Sequence, residues 1–419
     1  MENPKIRFKG FTKDWEQRKL GEVLISLQSN TLSRADLSNE TGIAKNVHYG
    51  DVLIKFGDVL DVSREQLPMI KDEKILDKYK ASFLQNGDVI IADTAEDTTV
   101  GKCSEIAGLR DEVVLSGLHT ILYRPVEKFA TGYLGYYLNS GAYHDQLIPL
   151  MQGIKVTSIS KSAMQDTDIV YPKSTEEQAM IGSYFQSLDH LITLHQRKCE
   201  QTKNLKKYML QKMFPQNGAK VPEIRFNGFT HDWEQRKLGE VCSRVQGNDG
   251  RMNLPTLTIS AANGWMNQED RFSGNIAGKE QKNYTLLHKG ELSYNHGNSK
   301  LAKYGTVFSL QSYKEALVPR VYHSFKVEEG SPDFLEYYFA TKLPDRELGK
   351  LISSGARMDG LLNIGYNEFM GIQMLFPSVE EQKQISNYFR NLDTLITLHQ
   401  RKCDELKKMK KFMLQNMFI

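Results

Sequence analysis

The chain has 419 residues, of which 40% are hydrophobic and 25% are charged, a composition typical of folded globular domains that argues against a disordered protein. The formal net charge is only +3, so any contact with nucleic acid must come from local clusters of lysine and arginine. The four cysteines lack the close spacing of a zinc site or a disulfide framework, and neither a membrane-spanning apolar run nor a signal peptide is visible. We therefore expect a cytoplasmic protein of roughly two to four domains.

The first predicted element is a short block near the start of the chain that returns in its middle. Residues Pro4–Val23 read PKIRFKGFTKDWEQRKLGEV, and residues Pro222–Val241 repeat this block with three differences. A second block, Glu176–Phe214, likewise matches Glu380–Phe418. The chain is therefore two tandem copies of one unit, and such constant frames predict docking to a common partner.

Two diverged inserts lie between these frames, roughly residues 24 to 170 and 242 to 375. Each contains short runs of β-forming residues, such as Asp88–Ala92 in the first and Ile372–Phe376 in the second, with helical patches between them. The inserts are predicted to be two mixed α/β domains that each recognise something different.

The predicted domain boundaries follow from these blocks. We place a first recognition domain at 1–171, a central long helix at 172–214, a linker at 215–222, a second recognition domain at 223–376 and a second long helix at 377–419. The linker PQNGAKVP is rich in the residues that stop helices.

Both long segments have the pattern of a helix with a heptad seam. Ser174 and Ser378 are candidate N-caps, and each is followed by a pair of glutamates that suits the first helical turn. A narrow apolar seam is stable only when buried, so the two helices are predicted to pair as an antiparallel coiled coil with internal pseudo-twofold symmetry. This pair would be a stalk, and it would also fix the distance between the two inserts. The predicted pairing residues are Phe185, Leu188, Ile192, His195 and Cys199 in the first helix and Phe389, Leu392, Ile396, His399 and Cys403 in the second.

Catalytic signatures are missing from the sequence. It contains no GxxxxGK[ST] phosphate loop, no HExxH, no GxSxG and no Asn-Pro-Pro-Tyr of amino-methyltransferases. The ten histidines are scattered, and His195 and His399 on the seam are interpreted as polar residues that set the helix register. We therefore predict a chain that is not an enzyme, with no catalytic residue and no metal site.

Basic, amide and hydroxyl side chains cluster near turn-forming residues in both inserts. Lysine and arginine suit phosphate groups, whereas asparagine, serine and threonine suit base edges. For any single residue a solvated surface loop is the simpler interpretation, so the prediction depends on the clusters. The candidate DNA-binding residues are Lys102, Lys155, Thr157 and Ser160 in the first insert and Asn295, His296, Asn298, Lys300, Lys303, Arg320 and Arg357 in the second.

The order of these blocks resembles the specificity subunit of type I restriction-modification systems. Tandem Asp-Trp-Glu-Gln-Arg-Lys-Leu-Gly-Glu segments open each variable region, which closes with a proline, Glu-Glu-Gln and the long helix. The resemblance implies two target recognition domains that read the halves of a split, asymmetric DNA sequence, with the helices setting the gap between them. It also implies docking of two modification subunits, which use S-adenosylmethionine, and of two restriction subunits, which use ATP and Mg²⁺. This chain itself is then expected to bind no cofactor.

A second interpretation stays open at this point. A coiled-coil scaffold whose variable domains bind proteins or glycans would have the same arrangement of frames and inserts. A salt titration on duplex DNA separates the two interpretations, because binding through phosphates weakens steeply as salt is added.

Overall fold

The computed structural model describes residues 3–272, 278–352 and 361–419. The chain forms two compact units of mixed α/β structure. The first unit contains residues 1–196 and 401–419, and the second unit contains residues 197–400. Each unit therefore combines one frame and one insert with segments of both long helices.

The first unit holds the elements that come before the middle of the chain. Its helices are α1 (Leu20–Val23), α2 (Tyr49–Ile54), α3 (Glu73–Tyr79), α4 (Tyr133–Leu138), α5 (Gly141–His144), α6 (Lys161–Gln165) and the start of the long helix α7 (Thr175–Lys212). Its strands are β1 (Glu16–Lys19), β2 (Leu24–Leu27), β3 (Leu37–Ser38), β4 (Ala44–Val47), β5 (Val59–Asp61), β6 (Met69–Ile70), β7 (Val89–Ala92), β8 (Thr94–Ala95), β9 (Cys103–Ala107), β10 (Val114–Ser116), β11 (Thr120–Pro125), β12 (Thr157–Ser158) and β13 (Asp168–Tyr171).

The second unit begins and ends with equivalent elements, but the described elements of its insert differ in number and order from those of the first. Its helices are α8 (Leu238–Val241), α9 (Gln268–Phe272), α10 (Pro332–Ala340), α11 (Asp345–Lys350), α12 (Tyr366–Met370) and the start of the long helix α13 (Val379–Asn416). Its strands are β14 (Glu234–Lys237), β15 (Cys242–Arg244), β16 (Leu257–Ser260), β17 (Gly264–Asn267), β18 (Thr285–His288), β19 (Leu292–Asn295), β20 (Thr306–Ser309), β21 (Glu315–Val318), β22 (His323–Val327) and β23 (Gln373–Phe376).

A central sheet organises each unit. In the first unit the strand order is β2-β11-β7-β9-β5, and Thr120 of β11 lies opposite Ala92 of β7. All four residues of β7 are buried, as expected for an apolar run covered on both faces. In the second unit the order is β15-β22-β19-β20, and Tyr294 of β19 lies opposite His323 of β22. These pairings decide which loops meet at the end of each sheet.

The repeated frame has the same local structure in both units. Strand β1 pairs antiparallel with β13, and β14 pairs antiparallel with β23. Trp15 and Trp233 are buried beside these strands, and Leu20 and Leu238 are fully buried where α1 and α8 begin. Because the last strand of each insert pairs with the frame, the frame closes the insert into one folded body.

The two long helices begin where the sequence predicted. The hydroxyl of Ser174 accepts a hydrogen bond from the backbone amide of Glu177, and that of Ser378 accepts one from Glu381, both at 3.3 Å. Each helix has 38 residues, which corresponds to a length of about 57 Å. Among the described residues no helix is long and apolar enough to cross a membrane.

Segments of the two helices pair within each unit. In the first unit the ring of Phe418 stacks on that of Phe185 at 5.7 Å, and Lys410 hydrogen-bonds to Asp189. The contact partner of Phe185 is Phe418, whereas the partner of Asp189, further along the first helix, is Lys410, which comes earlier in the second. The two helices therefore run antiparallel, as predicted.

The second unit has the same pairing from the other ends of the helices. The rings of Phe214 and Phe389 lie 6.0 Å apart, and Lys206 hydrogen-bonds to Asp393 at 2.5 Å. Of the predicted pairing residues, Phe185, Leu188, Ile192, Cys199, Phe389, Leu392 and Cys403 are buried, whereas His195, Ile396 and His399 are half-buried. The compact units thus extend beyond the predicted domain boundaries and include these helix segments.

Candidate nucleic-acid interface

Three loops meet at one end of the central sheet of the first unit. They comprise residues 93–102, 117–119 and 152–160. Asp93 joins them, because its backbone amide bonds to the carbonyl of His119 and its carbonyl accepts the amide of Ile159. We call this surface, in either unit, the loop face.

The second unit forms its loop face from the corresponding segments, residues 296–305, 319–322 and 361–364. His296 joins them here: its Nδ1 lies 2.7 Å from the carbonyl oxygen of Leu362, and its Nε2 lies 2.9 Å from that of Val321. His323 stacks on His296, and burial lowers the pKa of His323, which favours its neutral form. The two units therefore build one type of surface with different side chains.

Most of the predicted residues of the first insert reach the loop face. Lys155 is exposed, and Thr157 is half-buried on β12, which pairs with β8. Ser160 is exposed and also caps α6 by accepting a hydrogen bond from the amide of Ala163. Exposed hydroxyl and ammonium groups are thus available at this end of the sheet.

Lys102 has a different role from the one predicted. Its ammonium donates hydrogen bonds to the carbonyl oxygens of Leu53, at 2.7 Å, and Phe56, at 3.1 Å. Burial lowers the pKa of this lysine. The ammonium is therefore committed to the end of α2, where helix carbonyls lack partners, and we leave Lys102 out of the loop face.

The predicted residues of the second insert divide into two groups. Asn298, Lys300, Lys303 and Arg320 are exposed on the loop face. His296 is only 6% exposed, and Asn295 is half-buried, with its amide accepting from Gly297 and donating to the carbonyl of Ile259. These two residues shape the loops rather than present polar groups to a ligand. Arg357 lies outside the described residues.

Sequence reasoning missed an aromatic cluster beside the loop face of the first unit, which includes His119 of that face. The ring of Tyr49 packs against His48 and, edge-on at 5.3 Å, against His119. His119 has a positive φ of 55°, which is uncommon for a residue other than glycine, and its Nδ1 lies 3.4 Å from the carboxylate of Asp93. Burial lowers the pKa of His48, and the nearby cation of Arg34 lowers it further. These residues come from distant parts of the chain, so no local pattern could reveal them.

The described part of the chain contains no group of three histidine, cysteine, aspartate or glutamate side chains placed to hold a metal ion. The arrangement of the loop faces instead offers cations, amides and hydroxyls on projecting loops. Such groups are suited to the phosphates and base edges of a nucleic acid.

Comparison with known proteins shows which family has this arrangement. Residues 12–204 match the model of the type I restriction modification DNA specificity domain. Residues 12–204 therefore form a domain of this family. DNA recognition is therefore its role, and the scaffold interpretation has no support from the comparisons.

Two similar proteins match nearly the whole length of the chain. A sequence relative is the predicted specificity subunit of the type I restriction enzyme MjaX of Methanocaldococcus jannaschii, which is 23% identical over 95% of this chain and 91% of the relative. The crystal structure of a type I restriction-modification S subunit from M. genitalium has 12% sequence identity and a TM-score of 0.60, covering 100% of this chain and 99% of the other. The second likeness shows that the fold is shared along the entire chain.

The similarity to this family also bears on catalysis and on partner subunits. Specificity subunits are in general non-catalytic, which agrees with the prediction that this chain is not an enzyme. They act within a type I system, so the specificity subunit works with partner subunits.

A second surface of the chain lies on the long helices, away from their buried seam. Exposed apolar side chains recur at equivalent helix positions in the two copies. In the first unit these residues are Leu191, Met409 and Phe412, and in the second unit they are Leu205, Tyr208, Leu395 and Leu398. We call this set the outer stripe. Exposed apolar patches often mark protein contacts, and these side chains are candidates for such a patch.

Proposed function

We propose that this specificity subunit reads a bipartite, asymmetric DNA target, one half with the loop face of each unit. The main support is that each unit has a loop face of the same arrangement, whereas the side chains on the two loop faces differ. Lys155, Thr157 and Ser160 belong to one face, and Lys300 and Arg320 belong to the other. Two different faces on one chain recognise two different half-sites.

The lysines and the arginine of each face bind phosphate groups, which position the duplex. The amides and hydroxyls, including Asn298 and Thr157, then contact base edges. Two modest half-site affinities add up to strong binding, because the first contact raises the effective concentration of the second.

The constant frames are the docking sites of identical partners. Gln17, Lys19 and Glu22 are exposed in the first unit and recur unchanged as Gln235, Lys237 and Glu240 in the second. Core packing explains identity at buried positions, but it does not require identity at exposed ones. A partner that binds twice would explain both sets.

The outer stripe supports the same conclusion, because each unit offers an apolar helix surface of similar composition. Two modification subunits dock there, and two restriction subunits join the assembly. These partners use S-adenosylmethionine, ATP and Mg²⁺, while the specificity subunit binds none of them.

A methylome comparison tests the proposal. Cells that express the chain with its modification subunit should methylate adenine in one bipartite motif, and cells that lack the chain should lose that motif entirely. Purified chain alone should bind the duplex, with affinity that falls steeply with salt, and should neither methylate nor cut it.

A matched pair of variants assigns the binding to the loop face. Lys300→Ala with Lys303→Ala removes two exposed cations from the second loop face. Lys289→Ala with Lys314→Ala removes two exposed cations from the opposite end of the paired strands β18 and β21. The first variant should lose most methylation and the second should keep it. Equal methylation by both variants would contradict the proposal.

A further inference from the structure

Each loop face carries an aliphatic side chain at the tip of a tightly closed loop. In the first unit Ile154 is 101% exposed and its neighbour Val156 is 56% exposed. In the second unit Leu301 is 68% exposed. Aliphatic groups this exposed contribute little to the core of the protein, so they are available to contact a partner.

The loop of the first unit is held in a defined shape. Gln152 and Ser158 exchange two backbone hydrogen bonds of 2.9 and 2.8 Å, which close a short loop with Ile154 and Val156 at its tip. Gly153 has a φ of +114°, and a β-carbon at this position would lie 2.0 Å from the carbonyl oxygen of Val156. Only glycine fits there, so the tip does not need to be ordered by its ligand.

The loop of the second unit is closed in a comparable way. The backbone amide of Ser299 donates a hydrogen bond to the carbonyl oxygen of Ala302, and the backbone amide of Ala302 donates one to the carbonyl oxygen of Ser299. Ala302 is buried, which anchors the turn and leaves Lys300 and Leu301 projecting. Both tips therefore present an aliphatic group on a closed turn.

Each aliphatic tip is accompanied by exposed lysine. Lys155 lies between Ile154 and Val156, and Lys300 precedes Leu301. No ion pair or hydrogen bond holds either of these ammonium groups within the described ranges. A ligand that binds the lysine ammonium and the neighbouring aliphatic side chain together needs negative charges with an apolar group close to them. A polyanion of this kind fits both tips.

Duplex DNA has one such group that is reached without unstacking the bases. In the major groove, the only apolar group on the edges of unmodified base pairs is the C5-methyl of thymine. That groove is about 12 Å wide and admits a two-stranded β-ribbon, so it also has room for a short loop closed by one backbone bridge, such as residues 152–158. The flanking lysines then reach the phosphates at the groove edge.

We propose that Ile154 with Val156, and Leu301, contact thymine methyl groups in the major groove, one tip in each half-site. This inference rests on the proposed function, and it identifies residues that read bases within each loop face. Sequence reasoning selected the polar residues of these loops and passed over their apolar neighbours.

The test removes only the methyl group. Two duplexes carry the motif found in the methylome comparison, and each has deoxyuridine in place of thymidine in one of the two half-sites. The full-length chain with its modification subunits is bound to each of them. Its affinity is compared with the affinity for the duplex that contains thymidine in both half-sites. The wild type should bind each deoxyuridine duplex about fourfold more weakly for every contacted methyl, the effect of removing one buried methyl group.

Two variants connect each effect to its tip. Ile154→Ser with Val156→Ser should abolish the thymidine preference in one half-site only, and Leu301→Ser should abolish it in the other half-site only. Ile54→Ser is the matched control, because Ile54 is 88% exposed in the first unit but lies at the end of α2. This control should keep both preferences.

The outcomes separate the inference from the proposed function. If the wild type binds the thymidine and deoxyuridine duplexes equally, or if the tip variants keep the preference, the inference is wrong while sequence-dependent binding still stands. If the wild type shows no sequence preference on any duplex, the proposed function fails and the inference fails with it.

Discussion

The ammonium of Lys410 lies 2.6 Å from the carboxylate of Asp189, on the seam where the two long helices pair in the first unit. The same ammonium bonds to Asp58 of the insert and covers the ring of Tyr136. Burial by itself lowers the pKa of Lys410, but the two carboxylates outweigh it and raise that pKa. A lysine at a seam position, which weakens a simple coiled coil, thus joins the helix to the recognition domain.

Replacing Lys410 should destabilise the first unit. Lys410→Met leaves two carboxylates without their cation, and we expect a loss of roughly 2 kcal/mol in the free energy of unfolding, discounted because the cluster is partly exposed. Since the pKa of Lys410 is raised from its ordinary 10.5, the contribution is complete at neutral pH and is lost only above that value.

Urea unfolding of the purified chain, followed by hydrogen exchange in β7 and β11, measures the effect. Lys407→Met is the control, because Lys407 is exposed on the same helix. Equal protection of these strands in the two variants would show that the ion cluster does not stabilise the unit.

A buried carboxylate should make the stability of the first unit depend on pH. Glu105 accepts hydrogen bonds from the amides of Gly132 and Gly135, and burial raises its pKa to about 7. The folded state therefore holds a proton that the unfolded state has released, so stability falls as pH rises from about 4.5 to about 7.

The slope belonging to Glu105 should reach at most about 1.4 kcal/mol per pH unit. Glu105→Gln removes the titrating group, and the difference in unfolding free energy between wild type and variant should shrink or change sign across this range. Glu96→Gln, at an exposed position, should leave the profile unchanged. A constant difference between wild type and Glu105→Gln from pH 5 to pH 8 would contradict this assignment.

The length of the paired helices should set the gap in the recognised DNA. Seven residues inserted after Gln196 and after Gln400 keep the heptad phase and add about 10 Å, which corresponds to about three base pairs. Methylome sequencing should then find the same half-sites with a longer gap. An insertion of four residues is a stutter that changes the winding of the pair locally, and it should lower methylation more than the seven-residue insertion does. An unaltered gap in the seven-residue variant would show that the helices do not act as the spacer.

The outer stripe should control how many modification subunits bind. Leu191→Glu places a charge in the first unit's apolar surface and should weaken docking there by about tenfold or more, because the carboxylate would be buried without a partner. Leu205→Glu should do the same in the second unit.

Native mass spectrometry of the specificity subunit with its modification subunit counts the bound partners. Each single variant should shift the population from two bound subunits to one, and the double variant should bind none. Gln201→Glu, exposed on the same helix, is the control. If the double variant still binds two modification subunits, the outer stripe is not their docking site.

The sequence by itself determined the parts of this protein that depend on local or periodic patterns. The internal repeat, the N-caps at Ser174 and Ser378, and most of the buried seam, including Phe185 and Phe389, were all predicted. A capping serine acts on amides within one turn, and a heptad seam follows from helix geometry, so both signals are present in neighbouring residues.

Only the tertiary structure decided which polar residues remain available to a ligand. Lys102 and His296 have the composition of a binding site, yet both are bonded to backbone carbonyls of distant segments. Tyr49 and His119 are separated by many residues and meet because β4 pairs in parallel with β10, so that the residues after the two strands lie side by side. The physical reason is that the fate of a loop side chain depends on long-range packing, because a polar group that becomes buried must bond to whatever the fold places beside it.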